Sequence, residues 1–232
     1  MIIDLAKPFE LPSEYRQRLY GIEKICRTVQ SSDELFEKGA VLNLAQDLGE
    51  FCYKNRVVGV HFTRAIRQEI LDQGLLVRTG SEIRSRFLKQ HSSKLTQNQV
   101  VLLQERWAAY FTSQQISSRD NSIFFNFTEE ALEIGGAENL NGMYGGEQIH
   151  MCVELDEPLG KALANIGEPL VVYCALDPQH ICGVYEEVLG RILVSSFHLH
   201  INPEIWREDT DAWQTVPVNP QDVLNIKALT SQ

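Results

Sequence analysis

The spacing of apolar positions changes along the chain, from intervals of three and four residues early on to runs and alternation later. In "SSDELFEKGAVLNLAQDLGEFCYKN", Leu44, Leu48, Phe51 and Cys52 fall on one face at helical spacing. Ser31 stands three before Glu34, where each side chain can satisfy an unpaired amide at a helix start. "VVGVHF" reads as a strand. "TRAIRQEILDQGLL" reads as a short helix in which Ile66 and Ile70 share a face. Gly74 is placed as its left-handed stop, with Leu75 folding back on Ile70. "TQNQVVLLQERWAAYFTSQQ" predicts a longer helix, with Thr96 and Gln99 at capping-box spacing and Val100, Leu103, Trp107 and Phe111 as its buried stripe.

From about residue 119 the pattern turns to strand. "NSIFFNFT", "QIHMCVEL", "PLVVYCAL" and "RILVSSFHLHI" are strand candidates. "EIGGAENLNGMYGGE" holds too many glycines for a regular element and predicts a loop or tight turns. "EPLGKALANIG" predicts a short helix closed by Gly167, and "NPEIWREDTDAWQTVPVNPQD" a surface excursion. Helices precede strands without steady alternation, so the expected class is α+β. With no repeat or linker, the expectation is one domain of 232 residues: a helical extension over 1–55 and a core over 56–232.

Charge narrows the partners. A formal charge of −10 repels phosphate backbones on average, which disfavours passive nucleic-acid binding. The dense basic stretch, residues 78–94, sets Arg78, Arg84, Arg86, Lys89 and Lys94 against Glu82, and reads first as a solvated helix face, with a functional patch as the alternative. No apolar run approaches the roughly 20 residues of a membrane helix. The opening "MIIDLAKPFELPSEYRQ" has no basic region ahead of an apolar core. Cys26, Cys52, Cys152, Cys174 and Cys182 are irregularly spaced with no C-x-x-C, as in a reducing compartment. A cytoplasmic location without membrane contact is expected.

Several chemistries lack their signatures: there is no phosphate-loop motif, no G-x-S-x-G, no H-E-x-x-H and no dinucleotide glycine fingerprint. His198 and His200, read on one strand face, can offer two imidazoles to a metal, with acids in "NPEIWRED" completing the set; a metal-dependent hydrolase is one alternative.

The sharper signal is "VGVHFTR". A strand there sends His61 and Thr63 out from one face, where a core strand would continue with apolar residues. The order that follows is a short helix, Gly74–Leu75, the aromatic "IFFNF", then "MYGGEQIHMCV". It resembles the ADP-ribosyltransferase fold, including its poly-ADP-ribose polymerase, DNA-modifying toxin and RNA phosphotransferase branches. The resemblance covers roughly residues 57–176 and rests on short, loose motifs. It implies a split antiparallel β-sandwich that binds NAD as a substrate, with no metal expected. By the same resemblance, His61, Thr63 and Arg64 hold the dinucleotide, Phe124, Phe125 or Tyr144 stacks on nicotinamide, and Glu147 grips the nicotinamide ribose as catalytic group beside His61. Family members usually carry tyrosine or histidine on the aromatic strand, whereas this chain has phenylalanine, which leaves Tyr144 as the substitute. Glu168, ahead of "PLVVY", competes with Glu147. The resemblance further implies transfer of ADP-ribose to a protein or nucleic acid by a bacterial toxin or phage-defence effector, with a neutralising antitoxin protein. A catalytically inactive relative that binds a nucleotide or partner is the other alternative.

The residue types suit that chemistry. Cleaving the nicotinamide bond builds positive charge on the ribose, which a nearby carboxylate favours more in the transition state than in ground-state NAD. An imidazole can donate to one ribose hydroxyl and accept from another, and Thr63 adds a third hydrogen bond. Gly145 and Gly146 leave backbone open to close approach.

Overall fold

The protein is described by a computed structural model covering residues 1–229. Its helices are α1 Ser13–Gly21, α2 Glu23–Cys26, α3 Ser32–Phe36, α4 Gly39–Tyr53, α5 Arg67–Gln73, α6 Gly80–His91 and α7 Gln97–Tyr110. They continue with α8 Ser113–Ser117, α9 Glu130–Glu133, α10 Glu138–Gly142, α11 Glu147–His150, α12 Pro158–Ala164 and α13 Glu186–Ile201. The strands are β1 Ile2–Ile3, β2 Arg56–Ala65, β3 Ile123–Phe125, β4 Glu168–Leu176, β5 Ile181–Cys182, β6 Ala212–Gln214 and β7 Val223–Ala228. They form sheets ordered β1-β2-β4-β7 and β3-β6-β5. The class is α+β. No helix among the described residues is long and apolar enough to cross a membrane.

Two interleaved units share the chain. The first takes Met1–Val60, Phe124–Ala131 and Cys174–Trp213; the second takes His61–Ile123, Leu132–Tyr173 and the chain from Gln214 onward. In the first, α4 lies directly on α13. Bare backbone makes this possible: a Cβ on Gly190 would sit 1.7 Å from the Ala45 carbonyl oxygen, and one on Gly49 2.0 Å from that of Glu186. Leu44, Leu48 and Cys52 are buried as their spacing predicts. Ser31 caps α3, its side chain accepting from the Glu34 amide at 3.2 Å, and α4 starts afresh at Gly39. Here β1 pairs in parallel with the start of β2, Ile2 opposite Arg56.

The second unit is built around α6, α7, α11 and α12, with Phe87, Leu103, Trp107, Met143, Ile149 and Leu163 in its core. Both capping boxes close, Thr79 with Glu82 and Thr96 with Gln99, fixing where α6 and α7 begin. Leu103, Trp107 and Phe111 are buried and Val100 partly so, as predicted. The Trp107 indole donates to the Ile149 carbonyl at 2.9 Å, which satisfies its one polar atom.

Four sequence expectations change. "RILVSSFHLHI" lies in α13, not in a strand: Leu189, Leu193 and Phe197 are buried at four-residue intervals, and a short apolar run alone does not separate the two structures. "QIHMCVEL" is α11 and a turn. Ile149 and Val153 are buried four apart, Met151 is exposed, and Gly145 and Gly146 (φ 89° and 65°) deliver the chain into a helix. Gly74 has positive φ and its amide donates back to Ile70 at 2.8 Å, but ψ is −155°, so Leu75 continues outward to Val218 instead of folding back. The C-terminal excursion is partly interior: Ile205, Ala212, Gln214 and Val218 are buried. Within it the Asp209 carboxylate accepts from the Phe127, Thr128 and Thr210 amides and from the Thr128 hydroxyl.

Candidate functional site

His61, Thr63, Arg64, Tyr144 and Glu147 all belong to the second unit. Alternation along β2 puts His61 and Thr63 on one face; Thr63 is buried and His61 half-buried. The last turn of this strand meets the glycine loop directly. Arg64 bridges Tyr144 in parallel register, and the Gly145 amide donates to the Arg64 carbonyl at 3.2 Å. The two glycines serve different ends. A Cβ at Gly145 would strike Ile149 at 2.5 Å, whereas Gly146 faces open space and needs glycine only for its φ.

Glu147 opens α11 rather than a strand. Its Oε2 accepts from Arg119 Nε at 2.7 Å, while Arg119 also holds Gln115 and the Ser118 hydroxyl. The glutamate side chain is 41% exposed and the arginine 17%, so the cation is the anchored partner. This pairing offsets part of the charge a carboxylate would present to a ribose cation. Among the described residues Oε1 accepts no hydrogen bond. The competing Glu168 begins β4 and stands 3.6 Å from Arg67, both side chains partly exposed.

Tyr144 is held firmly. Its hydroxyl lies 3.0 Å from His91 Nε2, its ring packs on His91 and Phe87, and burial pushes the phenol up to about 12. Burial also keeps His91 below the usual imidazole range, so a neutral ring faces the phenol. Phe124 and Phe125 lie in the first unit: Phe125 is core, and Phe124 is 42% exposed with its ring 6.3 Å from Trp213. Tyr144 is the aromatic candidate that shares a unit with His61 and Glu147.

Arg64 is half-buried. Nε donates to the Asn141 carbonyl at 3.0 Å and Nη1 to the Gly167 carbonyl at 3.1 Å, and desolvation lowers its proton affinity. Two of the five cations of the basic stretch are committed: Arg84 donates to Gln148 at 2.8 Å and covers the Phe111 ring, and Arg86 pairs with Glu69 at 3.3 Å. Lys89 and Lys94 are exposed.

The histidine pair does not form a metal face. On a helix, residues two apart point to different sides, whereas the strand reading put them together. His198 is fully buried with Nε2 3.2 Å from the Val29 carbonyl, and His200 packs edge-on to Phe9. Glu208 is spent on Arg191 at 2.8 Å. Among the described residues no group of three or more His, Cys, Asp or Glu is placed to hold a metal ion.

Arg119, His91 and Asn141 were not legible as site residues; "NLNG" and "SSRDN" carry no motif, and their positions come from tertiary packing. A hollow of about 410 Å³ in the first unit, lined by Met1, Asn55, Arg56 and Asp177 among others, includes none of the candidate residues. No family model, curated protein or solved structure matches the chain.

Proposed function

We propose that this chain is an NAD-dependent ADP-ribosyltransferase with an ADP-ribosyltransferase-like core, and that it modifies a macromolecule. The observation that carries the reading is the hydrogen-bonded junction of Arg64 with Tyr144 and Gly145, which puts the "HFTR" strand end and the "YGGE" loop in one place. In this reading His61 and Thr63 bind ribose hydroxyls from one strand face. The Tyr144 ring borders the nicotinamide. Glu147, oriented through Oε2 by Arg119, offers Oε1 to the nicotinamide ribose.

The reaction breaks the bond between ribose C1″ and the nicotinamide nitrogen, which takes the electron pair and leaves as neutral nicotinamide. An acceptor nucleophile then forms the new bond to C1″ and loses its proton to solvent. The carboxylate's part is electrostatic: it favours the cationic ribose over the ground state. A toxin or phage-defence setting, with a neutralising protein, belongs to the same proposal and rests on the resemblance alone.

The Glu147–Arg119 pair favours one other reading, a relative that binds the nucleotide without turnover. Incubating purified protein with labelled NAD and cell lysate separates the two. Transfer predicts free nicotinamide and label that either protease or nuclease releases. Binding without nicotinamide release supports the inactive relative and ends the enzymatic one.

A further inference from the structure

We propose that Gln148 is a positioning residue: through Asp120 and Arg84 it fixes the single turn of α11 and so sets where the Glu147 carboxylate stands. The inference rests on the reading above, in which Glu147 faces the nicotinamide ribose. A turn of four residues, Glu147–His150, has no stability of its own, and it follows two glycines with positive φ. Its orientation is therefore decided by what its side chains grip. Glu147 is partly exposed and holds Arg119. Gln148 beside it is 6% exposed, and both ends of its amide are bonded. Oε1 accepts from Arg84 Nη1 at 2.8 Å, and Nε2 donates to Asp120 Oδ1 at 3.1 Å. The same Asp120 oxygen accepts from the Gly80 amide at 2.9 Å, so α6, α11 and the 119–121 segment meet at one side chain.

Two further observations argue for more than packing. Residues 119 and 120 address residues 147 and 148 in pairs, Arg119 to Glu147 and Asp120 to Gln148, so one segment supports both the carboxylate and its helix. That segment is turned by Asn121, at φ 57° the one non-glycine residue with positive φ among the described residues, whose amide donates to the Arg78 carbonyl at 3.1 Å. Such conformations persist only where surrounding contacts fix them, and they gather at functional sites. The second observation is the fit. Gly80 leaves no room for a side chain, since a Cβ there would lie 2.0 Å from Gln148 Oε1. Packing alone would be served by an apolar residue, as at the fully buried Ile149 next in the chain. A buried amide costs desolvation unless its bonds are made, and those bonds are directional. Glu147 and Gln148 are adjacent, so displacing the second moves the first, and a shift of about 1 Å can cost about 10²-fold in rate.

Nicotinamide release from NAD, with cell lysate supplying the acceptor, tests this as a cycle of wild type, Gln148→Leu, Glu147→Gln and the double variant. Gln148→Leu is expected to lower kcat by about tenfold or more while KM changes by less than about twofold. In the Glu147→Gln background the same change should cost less than about twofold further, because the group it positions is already gone. A general weakening of the fold would act equally in both backgrounds. Gln148→Glu has the same shape, keeps the Arg84 contact and turns the Asp120 bond into a repulsion. It runs the same cycle, with the same expectation, if thermal unfolding shows that the leucine variant does not fold. Losses that multiply across the two backgrounds, or a change confined to KM, would overturn the positioning role and leave the reading above in place. No release by wild type would overturn that reading, and this role with it.

Discussion

Replacing Gly190 by alanine offers a test in which local and tertiary effects have opposite signs. Gly190 lies inside α13, where alanine is worth about 1 kcal/mol more than glycine from helix propensity alone. Against this, the new methyl would meet the Ala45 carbonyl oxygen at 1.7 Å and the Gly49 amide nitrogen at 2.8 Å. Both are backbone atoms of α4 and cannot rotate away, so the helices must part. Overpacking of this kind costs about 1–3 kcal/mol, and rigid backbone on both sides puts this site at the upper end. The net expectation is a loss of about 1–2 kcal/mol, read as a midpoint lower by roughly 2–8 °C for a chain of this size. Urea and thermal unfolding of the variant, with Gly39→Ala as control, provide the measurement. A Cβ at Gly39 meets nothing within 4 Å, so that variant should be neutral or slightly stabilised. If Gly190→Ala raised the midpoint, the α4–α13 contact described above would be wrong.

Three further outcomes follow from buried and paired charges. Burial holds His91, His150 and His198 below the usual imidazole value, so between the folded values and about 6.5 the unfolded chain binds more protons and stability falls with falling pH. Each can contribute a slope of up to about 1.4 kcal/mol per pH unit, and a urea midpoint unchanged between pH 7.5 and 5.5 would contradict this. Arg207→Ala strands the buried Glu130 carboxylate, 3.1 Å from that guanidinium, and should cost about 3–5 kcal/mol by urea titration, with Glu130→Gln in the same background recovering part of it. Glu147→Gln should change stability by less than about 1 kcal/mol, because the carboxylate is partly exposed and its pairing is screened. A large drop in midpoint would make Glu147 a structural residue.

Local rules carried far where one residue's neighbours in sequence are also its neighbours in space. The Thr96–Gln99 box and the Leu103–Trp107 stripe fix α7 without reference to the rest of the chain. They failed at residues 191–201, where an apolar run suits either a buried strand or a buried helix; length and the acidic Glu186 and Glu187 ahead of it favour the helix, as α13 shows. They failed again after Gly146, because two consecutive positive-φ residues redirect the chain into α11. The contact between "HFTR" and "YGGE" joins segments about eighty residues apart and was reached only through a resemblance of order. Arg119 beside Glu147 and Asn141 beside Arg64 had no sequence signal, since each is placed by an element with its own reasons for being there.

The central claim is that one strand end and one glycine loop make a site that cleaves NAD. Chromatographic detection of nicotinamide from NAD incubated with wild-type protein, His61→Ala and Glu147→Gln, in the presence of lysate, addresses it most directly. The account predicts release by wild type and a fall of about 10²–10³ in rate for Glu147→Gln, with both variants folded. No release by wild type, or full turnover by Glu147→Gln, would contradict it.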